Sequence, residues 1–196
     1  LQEVAGLKQG DRIAIMLPNV LQYPIALYGA LRAGLTVVNT NPLYTARELQ
    51  HQLKDSGAKA IVILENFAHV LEEVLHHTEV EHILVTRVGV RLNWPKSMLV
   101  NTVIRHVRKQ VKPWNLPSAV WFNDALEQGH YLTFRSVPLG HSDIAFLQYT
   151  GGTTGVAKGA MLTHRNMVAN VLQSAAWIGT DARLGADTII TALPLN

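Results

Sequence analysis

The chain has 196 residues, 48% of them hydrophobic and 16% charged, with a formal net charge of +3. That composition supplies a globular core for one domain and part of a second, and the charge is too small, taken globally, to imply a nucleic-acid partner. The lack of cysteine excludes disulfides, thiol catalysis and Cys-based zinc sites and fits a reducing compartment; no apolar stretch reaches the ~18 residues that span a bilayer.

Arg12–Leu17 is a short apolar run closed by Pro18 and predicts a buried strand. Gln22–Ala33 places Ile25, Leu27, Tyr28 and Leu31 at helical spacing, with Gly34 as its stop. Leu35–Val38 is the next strand, and Asn41-Pro42 is a turn. Thr45 precedes Glu48 by three residues, a capping-box spacing, so a helix should run to about Ser56 and end at Gly57. Ala60–Leu64 reads as a strand, Phe67–His77 as a helix with Val70, Leu71, Val74 and Leu75 inward, and His82–Val85 as another strand. Strands alternating with helices of about three turns predict an α/β fold of βαβ units with a parallel sheet.

The stretch from His82 to Asn123 contains no Asp or Glu. Between residues 87 and 121 it carries Arg87, Arg91, Lys96, Arg105, Arg108, Lys109 and Lys112 together with Trp94, Trp114 and Trp121. Its centre, Ser97–Val111, sets Leu99, Val103, Val107 and Val111 on one helical face and basic residues on the other. The segment reads as an excursion from the sheet, suited either to staying solvated or to meeting an anionic lipid surface through Arg105, Arg108 and Lys109.

Chemistry concentrates in the last third. Asp143–Tyr149 reads as a strand, Ala160–Leu162 as a short extended segment, Thr163 as the N-cap of a helix His164–Trp177, and Thr188–Leu193 as a final strand. Between the first two lies a polar, glycine-rich loop. Gly151, Gly152, Gly155 and Gly159 permit conformations closed to other residues and let backbone N–H groups approach a ligand. Thr150, Thr153 and Thr154 add hydroxyls, and Lys158 adds a mobile positive charge. Such a loop suits polyphosphate oxygens. It is not a Walker A loop, because Val156 follows Gly155 and Gly159 follows Lys158; nor is it GxGxxG. By composition alone a plain surface loop between strands fits as well. No G-x-S-x-G elbow supports hydrolase chemistry. The nine histidines offer no metal-ligand spacing, with His76 and His77 adjacent and so directed to different sides of a helix. His164 reads either as a first-turn helix residue or as a supporting contact near the loop.

The run Tyr149–Asn166 resembles the signature loop of the adenylate-forming enzymes, which include acyl-CoA synthetases, luciferases and peptide-synthetase adenylation domains. Tyr149, Thr150, Gly152, Thr153, Thr154, Gly155, Lys158, Gly159, Thr163 and His164 match its pattern. Gly151 replaces a common Ser and Ala157 a common Pro, as in the bacterial long-chain fatty acyl-CoA synthetase branch. Gly10–Asn19, Arg32–Asn39, Asn41–Leu49 and Gln52–Ala60 look like the family's first βαβ region, and Thr191–Leu195 like the segment that leads into its aromatic–His pair.

The resemblance implies that residues 1–196 form part of a large N-terminal AMP-binding domain, with the C-terminal domain and its catalytic lysine lying beyond Asn196. It implies ATP-dependent activation of a fatty acid to an acyl-adenylate and transfer to CoA. The phosphates of ATP would rest on Thr150, Gly151, Gly152, Thr153, Thr154, Gly155 and Lys158, with Mg²⁺ bridging them and Thr150 as one of its ligands. A ligase for a medium-chain or aryl acid, and a non-catalytic truncated binding module, are the competing readings. The expected location is the cytoplasm, with peripheral contact at the inner membrane. A start at Leu1 and a stop at Asn196 beside an apolar run read as a piece of a longer protein, catalytically silent by itself.

Overall fold

The structure, a computed structural model, describes residues 1–150, 157–179 and 185–188. The predicted alternation is present: β1 (Arg12–Met16), α1 (Gln22–Arg32), β2 (Thr36–Asn39), α2 (Ala46–Ser56), β3 (Ala58–Leu64), α3 (Ala68–Val74) and β4 (His82–Thr86). These are followed by α4 (Lys96–Thr102), β5 (Ala119–Trp121), α5 (Phe122–His130), β6 (Ile144–Thr150), β7 (Lys158–Thr163) and α6 (His164–Ile178). The strands form one seven-stranded sheet in the order β5-β4-β3-β1-β2-β6-β7. All pairings are parallel except β6 with β7.

A parallel sheet has to be covered on both faces, and the strand sequences are written for that: β1, β2 and β3 are buried almost end to end. Chain direction assigns the helices. The step from β1 to β2 runs one way along the sheet and α1 covers one face. The steps from β2 to β3 and β3 to β4 run the other way, and α2 and α3 cover the opposite face, as crossovers of a single hand require. One core therefore joins Ile13, Ile15 and Val37 to Tyr23, Ala26 and Ala30 of α1. The second joins Ala14, Met16, Ile61 and Ile63 to Leu49 and Leu53 of α2 and Leu71 and Val74 of α3.

Sequence expectations need correction at α1, at α3 and in the basic segment. On α1 the buried residues are Gln22, Tyr23, Ala26 and Ala30, while Tyr28 is 64% exposed. Small alanines let the helix lie close to β1 and β2, and the larger Ile25, Leu27 and Leu31 flank that contact line. The Phe67–His77 helix is α only over α3, with a 3₁₀ turn at each end.

The basic segment differs more. Its excursion ends before residue 121, because Ala119–Trp121 pairs in parallel with β4 as an edge strand. Its centre is α4 continued by a π-helical stretch, Val103–Val107, and Val111 lies beyond the helix. None of these helical residues is buried: Leu99 and Val107 are exposed, as are Trp94 and Met98. Trp114 and Trp121 stack edge to face at 6.1 Å against the second core, leaving Trp94 as the exposed tryptophan of this segment. The segment's charge is not free either. Glu65, 2% exposed at the end of β3, draws Arg87 to 3.2 Å and Arg105 to 3.5 Å, since a buried carboxylate is tolerated only when paired.

The capping box at α2 is complete, with Thr45 accepting from the Glu48 N–H and Glu48 accepting from the Thr45 N–H at 2.8 Å. At its other end Gly57 is left-handed, φ 58°. The Arg12 guanidinium donates to the Ser56 and Gly57 carbonyls, both at 2.8 Å, satisfying groups the helix cannot pair itself. A Cβ at position 57 would lie 2.5 Å from Arg12 Nη2. Gly57→Ala is therefore expected to cost about 1–2 kcal/mol from the left-handed backbone alone, seen as a lower urea midpoint at unchanged slope. Wild-type stability in this variant would mean that the cap is not needed.

Candidate functional site

In open α/β sheets ligands bind beyond the carboxyl ends of the strands, and that is where the glycine-rich segment leaves the sheet. β6 runs parallel to β2 and continues past its last partner, Gln148, through Tyr149 and Thr150. β7 then returns antiparallel, with Tyr149 opposite Gly159 and Thr150 opposite Lys158. Thr150 and Lys158 thus face each other at the mouth of a hairpin connection, both exposed. Gly151, Gly152, Thr153, Thr154 and Gly155, the rest of the proposed phosphate contacts, lie outside the described residues, as does nearly all of the expected strand Thr188–Leu193.

The two rims of this hairpin are tied to α2. The Tyr149 ring lies over Gly159, where a Cβ would come within 2.9 Å of Tyr149 Cε2. In that notch the phenol reaches across to α2 and donates to Asp55 Oδ2 at 2.6 Å. Burial, then the hydrogen bond to the Asp55 carboxylate and its charge, push the Tyr149 phenol well above its ordinary pKa, so it stays a donor. On the other rim, His51 Nε2 is 3.2 Å from the Ala157 carbonyl. A carbonyl only accepts, so Nε2 carries the hydrogen in this contact.

Residues 51 and 55 are four apart, hence on one face of α2. Arg47, Gln50 and Lys54 complete that face around a shallow depression of about 480 Å³. Leu49 and Leu53, fully buried, and Gln52, whose amide donates to the Asn39 carbonyl at 2.8 Å, fix the helix to the sheet on its other side. On the opposite face of the sheet a second chain of contacts ends at β6: Tyr23 donates to Asn39 at 2.9 Å, and Asn39 donates to Gln148 at 2.9 Å. Burial raises the Tyr23 phenol to about 12.

Sequence reasoning selected Thr150 and Lys158 by residue type and missed Asp55 and His51. The only signal for those two was their i, i+4 spacing, which most helices contain. His164 is separated from the hairpin by the length of β7, and at about 3.3 Å per residue that is on the order of 15–20 Å. Its N–H pairs with the Asp143 carbonyl at 2.9 Å, so it is a first-turn residue behind the Thr163–Asn166 capping box. Among the described residues no cluster of three or more His, Cys, Asp or Glu is arranged to hold a metal, and no helix is long and apolar enough to cross a membrane.

The profile of the AMP-binding enzyme family matches residues 1–196. A long-chain-fatty-acid–CoA ligase of Escherichia coli O157:H7 is 55% identical over 195 residues, all of this chain and 35% of that protein. The Haemophilus influenzae protein of the same name is 53% identical, again across the whole chain and 35% of its own length. A solved long-chain-fatty-acid–CoA ligase from Archaeoglobus fulgidus superimposes with a TM-score of 0.60 at 30% identity, covering 87% of this chain and 28% of that one. The chain therefore spans about a third of the length of the curated relatives it matches.

The Tyr23 phenol yields a pH prediction with a definite sign. Its folded pKa, about 12, is above the ordinary tyrosine value, so its contribution to stability is intact below roughly pH 10. It is lost as pH rises through the folded pKa. Spectrophotometric titration should show a tyrosine step near pH 12 that Tyr23→Phe removes. A step of unchanged size in the variant would mean that the Tyr23 phenol does not titrate there.

Proposed function

Because the chain belongs to the AMP-binding enzyme family, we propose that its parent protein activates long-chain fatty acids, converting them to acyl-CoA through an acyl-adenylate. The observation that carries this reading is identity of 53–55% along the whole chain to ligases bearing that substrate in their name. The same observation favours a long-chain acid over a medium-chain or aryl substrate, and a ligase over a truncated binding module.

A fatty acid carboxylate oxygen attacks the α-phosphorus of ATP. The bond from that phosphorus to the β-phosphate oxygen breaks, and pyrophosphate leaves. The CoA sulfur, losing its proton, then attacks the acyl carbon and AMP departs. The first step is chiefly a matter of positioning and charge neutralisation. In this reading Thr150, Gly151, Gly152, Thr153, Thr154, Gly155 and Lys158 receive the β- and γ-phosphates, the amides and hydroxyls by hydrogen bonds and Lys158 by charge. The donor set fits Mg²⁺ brought in on the triphosphate: the ion draws most of its ligands from phosphate and water, and Thr150 offers one exposed hydroxyl at the hairpin mouth. When bound, the ion would neutralise charge on the phosphate oxygens.

The protein is proposed to be cytoplasmic, with peripheral contact at the inner membrane through the segment between β4 and β5. Exposed Trp94, Met98, Leu99 and Val107 beside Arg108 and Lys109 support that contact. Arg105 shares its charge with Glu65 and should contribute less.

Three measurements test these proposals. Lys158→Ala in the full-length protein should lower oleate-dependent ATP–pyrophosphate exchange by on the order of a hundredfold, with stability within ~0.5 kcal/mol of wild type; unchanged exchange removes Lys158 from the site. The 196-residue chain alone should form no acyl-CoA from ATP, Mg²⁺, oleate and CoA, and turnover by it would overturn the division of labour proposed. Replacing Arg105, Arg108 and Lys109 with Gln should weaken co-sedimentation with anionic vesicles by roughly 1 kcal/mol per residue that reaches the surface. Sedimentation like wild type would exclude this segment as the anchor.

A further inference from the structure

Glycine loses the most conformational freedom on ordering, yet a phosphate cradle works only when its donors are held to within about half an ångström. Among the described residues β7 is the outermost strand, and neither β7 nor α6 contributes a buried residue. The support comes from the opposite side. α2 is capped at both ends, seated through Leu49 and Leu53, and bonded to the end of β2 by Gln52. It presents Asp55 to the Tyr149 phenol on the incoming rim and His51 to the Ala157 carbonyl on the outgoing rim. Tyr149 can lie in that path only because position 159 has no Cβ.

We infer that Asp55, acting through Tyr149, and His51, acting through the Ala157 carbonyl, are positioning residues that set the two rims of the phosphate loop. This rests on the reading that the segment from Thr150 to Lys158 receives the triphosphate. Neither side chain has to touch ATP. The short, charge-assisted bond from Tyr149 fixes where β6 stops, and the imidazole fixes where β7 begins, so the residues between them start from two set points.

The test uses the full-length protein and reads oleate-dependent ATP–pyrophosphate exchange, separated into kcat and KM for ATP and for oleate, beside Tm. Asp55→Ala, Tyr149→Phe and His51→Ala should each raise KM for ATP and lower kcat, together on the order of tenfold or more, with KM for oleate near wild type. The double variant Asp55→Ala/Tyr149→Phe should be no worse than either single one, because both remove the same bond. Asp55→Asn, which keeps an acceptor, and His51→Gln, which keeps a donor, should recover most of the loss. Tyr149→Phe removes one hydroxyl and nothing else, so it carries the test if an alanine variant fails to fold.

Folded variants with wild-type KM for ATP overturn the inference. So does a loss that follows Tm and falls equally on ATP and oleate, since that is the signature of general destabilisation. Lys158→Ala separates the two levels: if it lowers exchange while the α2 variants do not, only the positioning role fails. If it leaves exchange unchanged, the phosphate-loop reading falls and the inference with it.

Discussion

Six parallel strands present two apolar faces, and neither can be left to water. This requirement organises the molecule, because each crossover helix must come down on the face that its chain direction allows. α1 goes to one side and α2 and α3 to the other. The cost of a misplaced helix would be large, since burial is worth about 25 cal/mol per Å² and the central strands are buried almost throughout. Once α2 is committed to its face, its carboxyl half lies below the point where β6 runs out. The Asp55–Tyr149 bond joins residues 94 positions apart as a consequence of how the sheet is covered.

The antiparallel pairing of β6 with β7 does a different job. A parallel neighbour would need a long crossover after β6, whereas an antiparallel one allows the chain to turn back directly. The glycine-rich segment therefore becomes a hairpin whose ends oppose each other, Thr150 against Lys158. A hydroxyl and an ammonium are brought to one mouth at the carboxyl edge of the sheet. The buried face of the hairpin is spent on Tyr149, whose burial keeps its proton in place for Asp55.

The segment between β4 and β5 illustrates how charge in a sequence is redistributed by folding. Its run of arginines and lysines without acids suggests a uniformly cationic excursion. Glu65, outside the segment in sequence, is buried at the end of β3 and pairs with two of those arginines. Arg87 also lies over the Trp121 ring at 4.2 Å, and Trp121 packs against Trp114. Arg91, Lys96, Arg108, Lys109 and Lys112 remain exposed at the surface, with exposed apolar neighbours.

The elements were legible in the sequence because their signals are local. Apolar runs mark β1 to β4, with Pro18, Gly34 and Gly57 near three of their boundaries, and Thr45–Glu48 and Gly57 mark both ends of α2 within one residue of where they stand. The hairpin rims at Thr150 and Lys158 were legible as the ends of a glycine-rich connection between two extended segments. Which face of α1 is buried was misjudged at Tyr28, because close helix–sheet approach selects small residues and hydropathy counts large ones. The edge strand Ala119–Trp121 went unseen because three residues carry no readable period and take their identity from β4. The sequence by itself determined the alternation and the caps. Only the tertiary structure decided that Asp55 and His51 meet the rims of that loop, because such contacts depend on which face of the sheet a helix covers, and no local pattern encodes that.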